Sequence, residues 1–147
     1  MKIKQTVAGD IKLLYKKEPM NFGLSPDAFE GAMLHQNKLS DTSRTLFNGD
    51  GDPIACAGLF LLWPGVAECW SLVTLEARML YPLALHKGAL SLVEEWRKIG
   101  LHRIQVNVLS NFIPALDWAS KLGFVHEGPL HNYGPNKERL ERFAIWQ

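Results

Sequence analysis

The chain has 147 residues, 47% of them hydrophobic and 21% charged, enough to fill one core and too few for two ordinary domains. With 16 basic and 15 acidic residues the formal net charge is +1, which excludes the strongly basic balance of a nucleic-acid binder or of a protein held on an anionic membrane. The opening MKIKQTVAGDIKLLYKKE lacks the unbroken apolar core of a secretion signal, and no later stretch reaches the roughly 18 apolar residues of a membrane span; the expectation is one soluble, cytoplasmic domain over residues 1–147 with neither membrane nor nucleic acid as partner.

KIKQTV alternates like a short strand, and Asp10 is placed to cap a helix from Ile11 to about Lys17, before Pro19. LSPDAFEGAMLHQ predicts a second helix, with Ser25 as cap, Pro26 at the first helical position, and Phe29, Met33 and Leu34 at helical spacing. SRTLFN and PIACAGLFLLW flank the turn NGDGDP as a hairpin, whose second arm is apolar on both faces like a central strand. VAECWSLVT returns across WPGVA as the next antiparallel arm. From Pro82 to about Ile99 the pattern becomes helical, with Leu85, Ala89, Leu92, Val93 and Trp96 on one side and Gly100 as the stop. HRIQVNVL alternates Ile104, Val106 and Val108 and suits a parallel strand after a helical crossover. Ser110 or Asn111 then caps a helix through Ala115, Trp118, Ala119 and Leu122, closed by Gly123. FVHEGPL and ERFAIWQ are two last strands around the loop HNYGPNKE. The order β-α-α-β-β-β-α-β-α-β-β predicts an α/β (α+β) fold: one mixed sheet of six to seven strands with helices on both faces.

Pairing Trp63 with Ala67 across WPGVA puts Cys56 opposite Thr74 and Cys69 opposite Leu61, too far apart for a disulfide. Both cysteines therefore read as core residues of a reducing compartment. His35, His86, His102, His126 and His131 show no metal-ligand spacing with each other or with the cysteines, so no metal is expected.

That element order, with Leu122-Gly123-Phe124 followed by Glu127-Gly128 in KLGFVHEG, resembles the GNAT superfamily of acyl-coenzyme A dependent N-acyltransferases over essentially the whole chain. GLFLLWPGVAECWSL, WASKLGFVHEG and NYGPN also resemble a phage-encoded branch of small GNAT-like proteins, some of them virion components, which implies host cytoplasm or virion as location. The resemblance implies acetyl-CoA as cosubstrate and a primary amine as acceptor, on a protein N-terminus, a lysine or a small molecule, with a homodimer as a possible assembly. It further implies that the fourth and fifth strands part, so that the strand end Leu72, Val73 and Thr74 can bond the peptide-like pantetheine arm as though it were an extra strand. The next helix then turns its N-terminus to the pyrophosphate. Val73 fills the family's strand-end position and Arg78 its arginine, but Tyr81 and Leu83 stand at the two glycine-like positions of the phosphate loop and Pro82 has no amide hydrogen. The donors implied there are the amides of Leu80, Tyr81, Leu83 and Ala84. The same stretch also suits an ordinary helix entry with Tyr81 and Leu83 packed over the sheet.

An amine must lose a proton before it attacks a thioester. Glu68 is the implied base, on the strand where family members commonly hold one and among Val66, Trp70 and Leu72, where burial would raise its pKa. It reads equally as a rim glutamate paired with an arginine. The tyrosine that usually protonates the leaving thiolate lies four residues before the glycine of LGF, and that position is Ala119. Tyr133 is the alternative acid, with Tyr81 behind it; either also suits a packing or substrate-wall role. Asn111 falls near the family's coenzyme A-contacting asparagine. Loss of these features implies a second class of function: a catalytically degenerate GNAT-fold binding or structural protein.

Overall fold

The computed structural model describes residues 1–18 and 42–147. The helix expected over LSPDAFEGAMLHQ lies outside the described residues. The described elements are β1 (Lys2–Gln5), α1 (Ala8–Lys17), β2 (Arg44–Phe47), β3 (Pro53–Trp63), β4 (Val66–Val73), α2 (Leu75–Leu80), α3 (Pro82–Arg97), β5 (Arg103–Leu109), α4 (Ile113–Lys121), β6 (Val125–Leu130) and β7 (Leu140–Trp146). They form a seven-stranded mixed sheet, in the order β1-β2-β3-β4-β5-β7-β6, with helices on both faces. Only the β4–β5 pair is parallel among the described strands. No described helix is long and apolar enough to cross a membrane.

Two expectations about helix starts need correction. Helix α1 begins at Ala8, not Ile11, and Asp10 lies inside its first turn, where its carboxylate accepts from the Val7 amide at 3.0 Å. Helix α4 takes Phe112 as its N-cap instead of Ser110 or Asn111, because the Ser110 hydroxyl donates to Glu141 at 2.8 Å instead.

The β3–β4 hairpin also turns more tightly than expected. Cys56 faces Leu72 and Cys69 faces Leu59, while Trp63 pairs with Val66 after a register shift between Leu61 and Trp63. The reason lies at Gly65, whose φ of +85° closes a short turn open to few residues other than glycine. Both thiols are free, and burial, with the Glu68 charge second, pushes Cys69 up to about 12.

The alternation of each strand divides the interior. Leu59, Ala67, Ile104, Phe143 and Ile145 point to one face, where Leu92, Val93 and Trp96 of α3 and Ala119 of α4 cover them. Cys56, Trp70 and Leu72 point to the other, beneath Ile11, Leu14 and Tyr15 of α1. Gly58 is required opposite Trp70: a Cβ there would come within 2.6 Å of the indole.

A forked sheet with a polar apex

Strands β4 and β5 pair only through Val66↔Arg103, Ala67↔Ile104 and Glu68↔Gln105, although β4 runs on to Val73 and β5 to Leu109. Beyond Glu68 the two strands part. The fork has identifiable causes at both ends. At the closed end the Gly65 carbonyl accepts from the amides of His102 and Arg103, at 2.9 and 3.1 Å, and so pins the start of β5 beside β4. At the open end each strand is drawn outward. The Thr74 amide and hydroxyl both donate to the Ile54 carbonyl, at 3.1 and 2.8 Å, holding the end of β4 to β3. The Ser110 amide donates to the Arg139 carbonyl at 3.1 Å, and the Ser110–Glu141 bond adds to it, holding the end of β5 to β7. Each strand keeps its outer ladder along its length, β4 to Val73↔Ala55 and β5 to Leu109↔Leu140. Among the described residues the inner edges past Glu68 have no partner strand, the arrangement that accepts an extended amide-bearing chain.

Glu141 is the tie at this open end. The Arg139 guanidinium first, then the Ser110 hydroxyl and His126, hold its carboxyl down to about 2 against an ordinary 4.5. A carboxyl depressed on folding stabilises the native state above its unfolded pKa and loses that effect as pH falls through the folded one. Glu141→Gln is therefore expected to lower the urea midpoint at pH 7, and the difference from the parent protein should shrink steadily from about pH 5 to pH 2. A gap that stays constant over that range would contradict this assignment.

Glu68 sits at the apex of the fork, with 22% of its side chain exposed. Its Oε1 accepts from Gln105 Nε2 at 3.1 Å and Asn107 Nδ2 at 2.9 Å, with Arg142 Nη2 at 3.7 Å. These four residues share the sheet face opposite α3 and α4, because Glu68↔Gln105 and Asn107↔Arg142 are register pairs. The apolar setting expected for Glu68 is thus corrected: amides and a guanidinium surround Oε1, and the glutamate is an arginine's neighbour as well as a candidate base. The Tyr133 hydroxyl lies 3.4 Å from the same Asn107 amide. The fold thereby brings Glu68 and Tyr133, far apart in the chain, to one side chain. Glu127 is held by both ends of Arg103, which keeps its carboxyl below the usual range.

The bend after β4 differs from the expected single helix entry. Thr74 caps the short helix α2, accepting from the Ala77 amide at 3.2 Å, and Tyr81 breaks the chain before Pro82 opens α3. The Tyr81 amide, an expected phosphate donor, is already bonded to the Ala77 carbonyl at 3.1 Å, and Leu80 lies within α2. The ladder of α3 starts with Leu85 N–H to the Tyr81 carbonyl at 2.9 Å. That leaves the first-turn amides of Leu83 and Ala84 without an intrahelical partner, at a turn where Leu83 is 75% exposed. Tyr81, like Val73 and Leu85, instead packs against the buried cluster of Leu46, Ile54, Ala55 and Ala77. Leu72 is buried under α1, so only its backbone edge is available. Arg78 reaches toward the start of α4, its guanidinium carbon 5.2 Å from the centre of the Phe112 ring, and its buried Nε has no hydrogen-bond partner. One helix lower, Trp118 Nε1 donates to His86 Nδ1 at 3.1 Å, joining α4 to α3. Asn111 lies exposed in the turn before α4, and Ala119 is buried in the core.

A coenzyme with a pantetheine arm and a diphosphate fits this frame. The unladdered edge of β4 suits the arm, while the two free amides and the partnerless Arg78 Nε suit the diphosphate. Among the described residues, no three His, Cys, Asp or Glu gather closely enough to hold a metal ion. Residue-type reasoning passed over Gln105 and Asn107. Their signal was present: they are the polar positions between Ile104, Val106 and Val108, amides where a solvent-facing strand more often carries charges.

No family model and no curated protein matches the sequence. Solved structures do match the fold. A ribosomal-protein-alanine N-acetyltransferase from Brucella melitensis superposes with a TM-score of 0.79 at 15% identity, covering 100% of both chains. A variant of a spermidine N-acetyltransferase from Vibrio cholerae gives 0.74 at 16% identity, covering 99% of this chain and 95% of that one. A GNAT-family acetyltransferase from Bacillus anthracis gives 0.70 at 12% identity, covering 98% and 93%. The chain shares the fold of these N-acetyltransferases.

Proposed function

We propose that this protein is an acetyl-CoA dependent N-acyltransferase that acylates a primary amine, on a protein N-terminus, a lysine or a small molecule. The observation that carries the reading is the fork between β4 and β5 with a carboxylate at its apex. When bound, the coenzyme supplies an activated acyl group as a thioester. The backbone edge from Leu72 to Val73 holds the arm, and Arg78 with the amides of Leu83 and Ala84 holds the diphosphate.

Glu68 then acts on the acceptor. Its Oε1 is occupied by the neighbouring amides, while Oε2 has no hydrogen-bond partner among the described residues. Oε2 is the atom that takes the ammonium proton, after which the amine attacks the acyl carbon, a C–N bond forms and the C–S bond breaks. Tyr133 is the available proton donor to the departing sulfur, in place of the buried Ala119, and the second proton that the nitrogen sheds as the amide forms restores its hydroxyl.

The acceptors named for the structurally similar enzymes, spermidine and a ribosomal protein, are both amines and fit this chemistry. A second reading, a GNAT-fold binding or structural protein without catalysis, draws on Tyr81 and Pro82 at the bend and on the Arg78–Phe112 contact at the mouth of the fork. Calorimetry separates the two. Titration with acetyl-CoA should give micromolar binding that Arg78→Ala weakens about 10-fold or more, the effect of losing a charged hydrogen-bond donor. Absence of heat with both acetyl-CoA and its desulfo analogue would leave the binding-protein reading.

A further inference from the structure

Resting on the acyltransferase reading and deepening it, we propose that Asn107 is the positioning residue of the site: it orients Glu68 and Tyr133 together, and Arg142 decides which way its amide faces. Asn107 lies on β5 two positions beyond Gln105, the last residue paired to β4, so its side chain stands on the open part of the fork.

Hydrogen-bond logic assigns the orientation. Arg142 Nε lies 3.0 Å from Asn107 Oδ1, and a guanidinium can only donate, so the atom facing it must be the amide oxygen. The NH₂ group then faces the other way, with Glu68 Oε1 at 2.9 Å and Tyr133 Oη at 3.4 Å. One amide hydrogen serves each.

Both reactive groups are set by this one side chain. On Glu68 the donor engages Oε1 and leaves Oε2 as the free oxygen for the acceptor's proton. On Tyr133 the hydroxyl oxygen is the acceptor, so its own hydrogen must point away from Asn107 and is free to be given up. A flipped amide would turn its oxygen toward the carboxylate and bring its NH₂ against the guanidinium, and both contacts would become repulsive. The charged groups around the cluster are Arg142, 3.7 Å from Glu68, and Arg103, which is bonded to Gln105 and paired with Glu127.

Asn107→Asp keeps the shape and replaces the donor facing Glu68 with a like charge. The titration of the Glu68 carboxyl, followed by carbon-13 NMR, should move up by about one pH unit. The acidic limb of the kcat profile should move with it, while KM for acetyl-CoA stays at the parent value. Asn107→Ser, which keeps a smaller donor and adds no charge, should shift Glu68 in the same direction by less, and it decides the matter if the aspartate variant does not fold. A Glu68 titration unmoved in a folded variant overturns the proposal. Because the titration needs no turnover, it is independent of the broader reading: a parent protein that never transfers an acetyl group would sink the acyltransferase assignment, whereas an active parent with an unmoved Glu68 sinks only the role of Asn107.

Discussion

Glu68→Gln is expected to lower kcat by roughly 100-fold or more, the lower range for loss of a positioned general base, with little change in affinity for acetyl-CoA. The substitution suits the site: a glutamine oxygen still accepts from Gln105 and Asn107, so the apex of the fork stays assembled while the proton acceptor is removed. A general base works in its deprotonated form, so the parent rate should rise with pH along an acidic limb. That limb should vanish in the variant and leave a low, flatter profile. Steady-state kinetics with a panel of amines, from pH 5 to pH 9, is the measurement. An unchanged profile would remove Glu68 from the chemistry and hand the apex a purely structural role with Arg142.

The second large effect is on stability. Trp96 is 2% exposed in the core cluster beneath α3, and its indole N–H donates to the Thr42 carbonyl at 2.9 Å. The residue thus fastens the far end of a helix whose near end forms the bend. Trp96→Ala should cost about 3–5 kcal/mol, the usual result of emptying a buried aromatic site, a large part of the total for an ordinary domain. Trp96→Phe keeps most of the buried area and loses the indole hydrogen bond to Thr42, and should cost about 0.5–1.5 kcal/mol. Urea unfolding separates the two contributions. Equal losses for alanine and phenylalanine would mean that the hydrogen bond, and not the packing, anchors α3. On the proposed reading saturating acetyl-CoA binds the folded state, and it should then restore part of the lost midpoint in both variants.

Much of the frame was legible because alternation and helical period report burial directly. PIACAGLFLLW is apolar on both faces and is the interior strand β3, between β2 and β4. Ile104, Val106 and Val108 share the face under the helices, as their spacing implies. The hairpin register was less legible, since a glycine with positive φ shortens the turn without altering the apolar pattern on either arm. The start of the long helix at Pro82 was legible from its residues; the short helix that Thr74 caps ahead of it was not, and there the Tyr81 amide closes α2 instead of facing a ligand.

The candidate site divides along the same line. Glu68 and Arg78 were picked out by the family resemblance, Glu68 by the strand it occupies and Arg78 by its distance from the strand end at Val73. That Glu68 meets Asn107 and Arg142, and that Asn107 also reaches Tyr133, follows from register across three strands and from the insertion of β7 between β5 and β6. By itself the sequence determined which residues alternate, where helices give way to strands and which carboxylate falls near the middle of the sheet, all local properties of spacing and chemistry. Only the tertiary structure decided that β4 and β5 part after Glu68, because the parting depends on Thr74 being drawn to Ile54 and Ser110 to Arg139 and Glu141, bonds between residues that no local pattern connects.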